Sequence, residues 1–181
     1  KGKNADILSP SKSQVDNLLE HYQNGRYDEA EKLAVKITKE FPKHQFGWKV
    51  LSAVLKQSGR VHESLVPSQK AVTLSPQDAL AQSNLAATLQ ELGRFEEAEA
   101  SFRQAIALKP DYPLAHNNLG NTLIELGRLD EAEASFRQAI ALKPDYAEAH
   151  SNLGTILKKI GRLDEAEANY AQALLLKPDY V

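Results

Sequence analysis

His116 and His150 stand 34 residues apart. A repeated histidine raises metal binding first, because imidazole is a common ligand. Packed neighbouring helices would bring the two within about 10 Å of each other. A metal site needs further ligands, and none accompanies the pair. Histidines filling a packing slot are the simpler reading. His21, His44 and His62 share no evident partner and read as surface or packing residues. The acidic pairs Glu96-Glu97, Asp130-Glu131 and Asp164-Glu165 raise acid–base catalysis. They recur at one spacing, whereas a catalytic pair is normally unique. Helix-start charge explains the recurrence better. Arg26, Arg60, Arg94, Arg128 and Arg162 could form an anion track. Acids interleave them, so they read as a solvated, self-compensating edge. Phosphate-cradling glycine loops, HExxH and calcium-loop spacings are missing. No catalytic residue, cofactor or metal ligand is assigned, and the chain reads as non-enzymatic.

The elements that would position such residues follow from a period of 34. Gly-Arg recurs at Gly25, Gly59, Gly93, Gly127 and Gly161, and proline at Pro42, Pro76, Pro110, Pro144 and Pro178. After an N-terminal extension (1–10), one array of five units results: Ser11–His44, Gln45–Asp78, Ala79–Tyr112, Pro113–Tyr146 and Ala147–Tyr180. The last three are close copies; the first two are degenerate.

Each unit reads as two helices. In the fifth, Ala149, Leu153, Ile156, Leu157 and Ile160 mark one apolar face. Gly161 suits a left-handed helix stop. Ala166, Tyr170, Ala173 and Leu174 carry the inner face of a second helix, which Pro178 ends. In PDYAEAH, Asp145 and Glu148 are placed to cap the next helix as an Asp-type capping box. A single hairpin cannot bury its apolar face, but stacked hairpins can. Ala132, Ala139, Ala166 and Ala173 allow close helix approach. Pro67 falls inside the second helix of unit two, where it predicts a kink or a delayed start. Ser64 and Ser68 stand there in place of the usual small and aromatic residues.

Asn118-Leu119-Gly120, Gly127, Ala132, Phe136, Ala139 and Pro144 resemble the tetratricopeptide repeat (TPR) pattern. So do the series from Asn152 to Pro178 and from Asn84 to Pro110, and Trp48 stands at the family's aromatic position. The resemblance covers about Ser11 to Tyr180. It implies an all-α, right-handed solenoid of helix-turn-helix units whose first helices line a concave groove that holds peptide segments. In that frame the sixth positions are Asp16, Val50, Asn84, Asn118 and Asn152. The ninth are Leu19, Ala53, Ala87, Asn121 and Thr155. Lys49, Lys56, Ser83, Asn117, Ser151, Lys158 and Lys159 lie nearby. The expected peptide-binding residues are therefore Asn84, Asn118 and Asn152, with Asn117, Asn121, Lys49, Lys56, Ser83, Ser151, Thr155 and Lys158. An asparagine amide offers a donor and an acceptor to any peptide backbone. Units three to five are similar in this to the superhelix of O-GlcNAc transferases. Alternatively, the asparagines bond between adjacent helices and hold the array. The carboxylate clamp for chaperone C-termini is not expected: of the fifth-position residues Val15, Lys49, Ser83, Asn117 and Ser151, only Lys49 fits.

Three functions remain open: a peptide-binding scaffold, a recruitment module of a larger glycosyltransferase, and a self-assembling scaffold. The last rests on the final helix pair, where Leu163, Tyr170 and Leu174 are expected to face water. The near-neutral charge, formally −2, disfavours nucleic acid. No run is apolar enough for a membrane span, KGKNADILSP lacks a signal-peptide core, and there is no cysteine. A cytoplasmic fragment of a longer protein is expected. Near-identical units carry little individual information, so specificity is expected in the divergent first two or outside this chain.

Overall fold

The computed structural model describes residues 9–178. The chain divides into two compact units, the first ending at Leu92 and the second beginning at Gly93. The first holds α1 (Lys12–Gln23), α2 (Tyr27–Glu40), α3 (Gln45–Gln57), α4 (Val61–Leu74) and α5 (Ala79–Glu91). The second holds α6 (Phe95–Leu108), α7 (Pro113–Glu125), α8 (Leu129–Leu142), α9 (Ala147–Lys159) and α10 (Leu163–Leu176). No strand occurs among the described residues. Within each unit, helices consecutive in the chain pack on one another.

The recurring Gly-Arg is the turn inside each hairpin. Gly25, Gly59, Gly93, Gly127 and Gly161 all have φ between 70° and 81°, where a side chain is strained. After it, the Arg128 N–H bonds the Leu123 carbonyl at 2.9 Å, and the Arg162 N–H bonds the Leu157 carbonyl at 2.9 Å. These bonds close the preceding helix as a Schellman motif. The arginine then begins the second helix as its N-cap residue. From Arg60 onward its side chain grips the glutamate three residues on: Arg128 meets Glu131 at 2.6 and 2.7 Å, and Arg162 meets Glu165 at 2.7 and 2.6 Å, whereas Arg26 turns back to Glu20 at 2.9 Å. The arginine series is thus neutralised locally, as a self-compensating edge requires.

Packing within a hairpin follows a size exchange between two positions 16 residues apart. Gly120 faces the ring of buried Phe136, and Gly154 faces Tyr170. In the first hairpin the sizes reverse: Leu18 and Ala34 share one core. In the second, hydroxyls replace both. Ser52 Oγ and Ser68 Oγ share a short hydrogen bond, and Ser68 Oγ lies 3.3 Å from Thr88 Oγ1. All three residues are buried. The serines of unit two therefore form a bonded seam in place of a glycine–aromatic contact.

A second recurring device ties each first helix to the chain before it. The side chains of Trp48, Gln82, His116 and His150 lie within hydrogen-bond distance of the carbonyls of Pro42, Pro76, Pro110 and Pro144 respectively, at 3.0 to 3.2 Å. A carbonyl only accepts, so both histidines carry a proton on Nε2.

Two local expectations are corrected. Asp145 does not cap α9, because the N-cap position falls one residue later, at Tyr146. Asp78 holds the N-cap position before α5, and it caps, accepting from the Leu80 and Ala81 N–H groups at 2.9 and 3.1 Å. Glu148 turns instead toward Asn117. Pro67 does not delay α4, which starts at Val61, in register with Tyr27, Phe95, Leu129 and Leu163. The helical ladder loses one N–H there, and the neighbouring backbone is tied by Ser64 Oγ to the Val61 carbonyl and Ser68 Oγ to the Ser64 carbonyl.

Candidate functional site on the first-helix faces

The first helices of the first unit, α1, α3 and α5, enclose a pocket of about 370 Å³. Leu19 and Tyr22 come from α1, Phe46, Val50 and Ala53 from α3, and Leu80 from α5. Lys49 and Asn84 add polar groups. The small Ala53 leaves the space that larger neighbours wall. Tyr22 is half-buried beside Tyr27, their ring centroids 6.1 Å apart. Burial, then the nearby Tyr27, raises its phenol pKa above the ordinary value, so it presents a neutral hydroxyl. Lys49 reaches Asp78 at 2.7 Å. Burial works against the charge of Asp78, but Lys49 and the capped N–H groups outweigh it and hold the carboxyl below its ordinary value. The lysine charge is therefore already balanced, and the pocket is apolar with a neutral rim.

The corresponding helices of the second unit, α7 and α9, present a polar face. Asn117 Nδ2 donates to Glu148 Oε1 at 3.0 Å, and Asn152 Nδ2 donates to Asn117 Oδ1 at 3.0 Å. Asn117 departs from the expected groove-facing role: it is fully buried, and its amide joins α7 to α9. Asn118, Asn121, Ser151 and Asn152 are half-buried. Thr155 is exposed, donating to the Ser151 carbonyl and accepting from the Tyr170 hydroxyl at 3.1 Å. Lys158 is exposed.

The structure thus brings Lys49 and Asn84 together in the pocket, and Asn117, Asn118 and Asn152 together in the polar cluster. Ser83 is buried beside the pocket residue Asn84. Lys56 is drawn to Glu91 at 2.8 Å instead. Sequence reasoning missed Tyr22, Phe46, Leu80 and Glu148, which occupy the second and twelfth positions of the repeat frame. Their signal was present, since those positions vary from unit to unit, as the fifth and ninth do.

Histidine chemistry finds no support in this geometry. His150 is buried, with Nε2 on the Pro144 carbonyl and Nδ1 3.1 Å from Asn169 Oδ1. Among the described residues no group of three or more His, Asp or Glu is placed to hold a metal ion. Likewise no helix there is long and apolar enough to cross a membrane.

A family model of the tetratricopeptide repeat matches residues 83–147 and, overlapping them, 117–180. The chain belongs to the tetratricopeptide repeat family. Solved TPR solenoids superpose on it. The thermophilic TPR protein TTC0263 of Thermus thermophilus is 29% identical, with 93% of this chain and 92% of that one covered and a TM-score of 0.74. MamA is 23% identical over 88% of this chain and 93% of its own, with a TM-score of 0.79. MamA from residue 41 to its end, from Desulfovibrio magneticus RS-1, is 16% identical over 93% of this chain and 96% of its own, with a TM-score of 0.82. At the identities of the MamA chains, the likeness concerns the fold. No curated protein matches the chain.

Proposed function

We propose that this TPR chain is a non-catalytic interaction scaffold that holds a peptide segment of a partner protein on the faces of its first helices. The pocket formed by Leu19, Tyr22, Phe46, Val50, Ala53 and Leu80 carries this reading. An apolar recess with a neutral rim suits a bulky aliphatic or aromatic side chain, whose burial contributes roughly 1.5–3 kcal/mol. Asn84 beside it suits the polar backbone of the segment held there, and Asn118 and Asn152 likewise suit the backbone of a segment held on the second unit.

Ala53→Arg puts a long charged chain into the recess at a helical position that tolerates arginine. Partner capture from lysate, followed by affinity measurement on the captured segment, should show binding weakened by about tenfold or more. The Asn84→Ala/Asn118→Ala/Asn152→Ala triple variant should weaken it too. Unchanged affinity in both variants rejects the reading.

The last hairpin favours a second role, association of two copies. Ile160, Leu163, Leu174 and Leu175 are exposed there. Leu126, Leu129 and Ile140, which match the first three in the preceding hairpin, are half-buried. Tyr170 is half-buried with its hydroxyl engaged, so it adds less to this surface than Leu163 and Leu174. Sedimentation should show a dimer that Leu174→Glu/Leu175→Glu dissociates. A monomer at all concentrations rejects this role.

A further inference from the structure

Five carboxylates are half-buried among the described residues: Glu31, Asp78, Glu99, Glu133 and Glu148. Four hold a cation. Glu31 meets Arg60 at 2.7 Å, Asp78 meets Lys49 at 2.7 Å, Glu99 meets Arg128 at 2.6 Å, and Glu133 meets Arg162 at 2.7 Å. Glu148 meets the neutral amide of Asn117. No ion pair involves it among the described residues. A carboxylate partly withdrawn from water without a cation is under-compensated.

We infer that Glu148 receives a lysine or arginine side chain of the bound peptide segment, an inference that rests on the peptide-binding reading above. The surroundings supply the rest of the complement. Asn117 fixes one oxygen of Glu148 through its amide nitrogen and fixes Asn152 through its amide oxygen. Asn152 Oδ1 is left as an acceptor, and the Asn118 amide nitrogen as a donor. A carboxylate beside an amide donor and an amide acceptor matches a peptide unit followed by a cationic side chain. From Gly93 onward acidic residues outnumber basic ones, so the local field favours a cation.

The frame gives no reason for a glutamate here. The matching residues are Lys12, Phe46, Leu80 and Leu114. A first-turn acid complements a helix N-terminus, yet α1, α3, α5 and α7 carry none in their first turns. Lys158 and Lys159 lie at the other end of α9, about 15 Å along its axis at 1.5 Å per residue.

Selection of random peptides on the full chain, followed by fluorescence anisotropy, tests the assignment. Selected peptides should be enriched in lysine or arginine at one position. Replacing that residue by alanine should weaken binding to the wild-type chain by about fivefold. Glu148→Gln keeps the acceptor for Asn117, so the fold is retained. On that variant the same replacement should change affinity little, and added salt should matter less. Equal loss on both chains overturns the assignment while leaving peptide binding intact. If no peptide is selected, this assignment and the peptide-binding reading fall together.

Discussion

Gly120 is a close approach between α7, which carries Asn117, Asn118 and Asn121, and its partner α8. A Cβ added there would lie 2.6, 2.7 and 2.9 Å from Cε1, Cζ and Cδ1 of Phe136. Carbon atoms pack at about 3.5–4.0 Å, so the overlap approaches one ångström. Phe136 has no exposed surface into which to retreat. Overpacking of this kind costs about 1–3 kcal/mol, while Gly→Ala in a helix returns about 1 kcal/mol. The rigid ring places the cost at the upper end, so Gly120→Ala should destabilise by about 1–2 kcal/mol. The displaced α7 would also carry Asn117 away from Glu148. Gly154→Ala is the matched control. Its Cβ would lie 3.0 Å from the half-buried Tyr170 ring and 3.2 Å from the Ala166 carbonyl oxygen, a looser fit than at Gly120, so its effect should be clearly smaller. Urea unfolding followed by far-ultraviolet circular dichroism reads the difference in midpoint. Phe136→Leu in the Gly120→Ala background should recover part of the loss. A Gly120→Ala chain as stable as wild type, or strict additivity of the two substitutions, refutes the argument from packing.

The proline-carbonyl contact makes its own comparison. Gln82 already serves at the position of His116, so His116→Gln should be near neutral, whereas His116→Phe should lose about 1 kcal/mol in the same unfolding assay. Acid should weaken the chain in a defined direction. Glu63, Glu97, Glu131 and Glu165 are held below the ordinary carboxylate value by hydrogen bonds from Arg60, Arg94, Arg128 and Arg162. Burial works against the charge of Glu99, but Arg103 and Arg128 outweigh it. A lowered folded pKa gives stability that is present above the unfolded value and lost as pH falls through the folded one. Melting followed from neutral pH into acid should show this loss, smaller at high salt; a melting temperature that rises as these carboxylates protonate contradicts it. Ser68→Phe alone should overpack against Ser52, and Ser52→Gly should restore the loss by recreating the Gly120–Phe136 arrangement, with calorimetry as the readout.

The sequence spelled out the turns well because each signal there is covalent. Gly161 is read correctly from its type because only glycine adopts φ 81° without strain, and Pro178 because it lacks an N–H. Caps failed by one residue. Asp145 and Asp78 differ by a single register step, and capping depends on where the first free N–H groups point, which composition does not encode. The delayed start expected at Pro67 failed for a different reason. The cost of a proline is local, and the buried hydroxyls that accompany it are visible only once α3, α4 and α5 are packed.

The site shows the same division. Asn118 and Asn152 stand out in the sequence because they recur at one frame position, while the bond from Asn152 to Asn117 shows only once α7 and α9 are packed. Asn117 was misread because neighbouring helix positions differ by about 100° in direction, and one faces inward while the next faces out. Glu148 was hidden because it also reads as a helix-start acid. Only the pairing of the other half-buried carboxylates separates it from them. In a repeat protein the copied residues solve a problem every hairpin shares, so their chemistry is answered within the chain. Arg162 ends on Glu165 and Glu133, and His150 ends on Pro144. The residues that break the copy, such as Tyr22, Phe46 and Glu148, are those whose surfaces or charges the repeat frame leaves unanswered. A ligand should answer them, which is why both binding proposals rest on departures from the repeat.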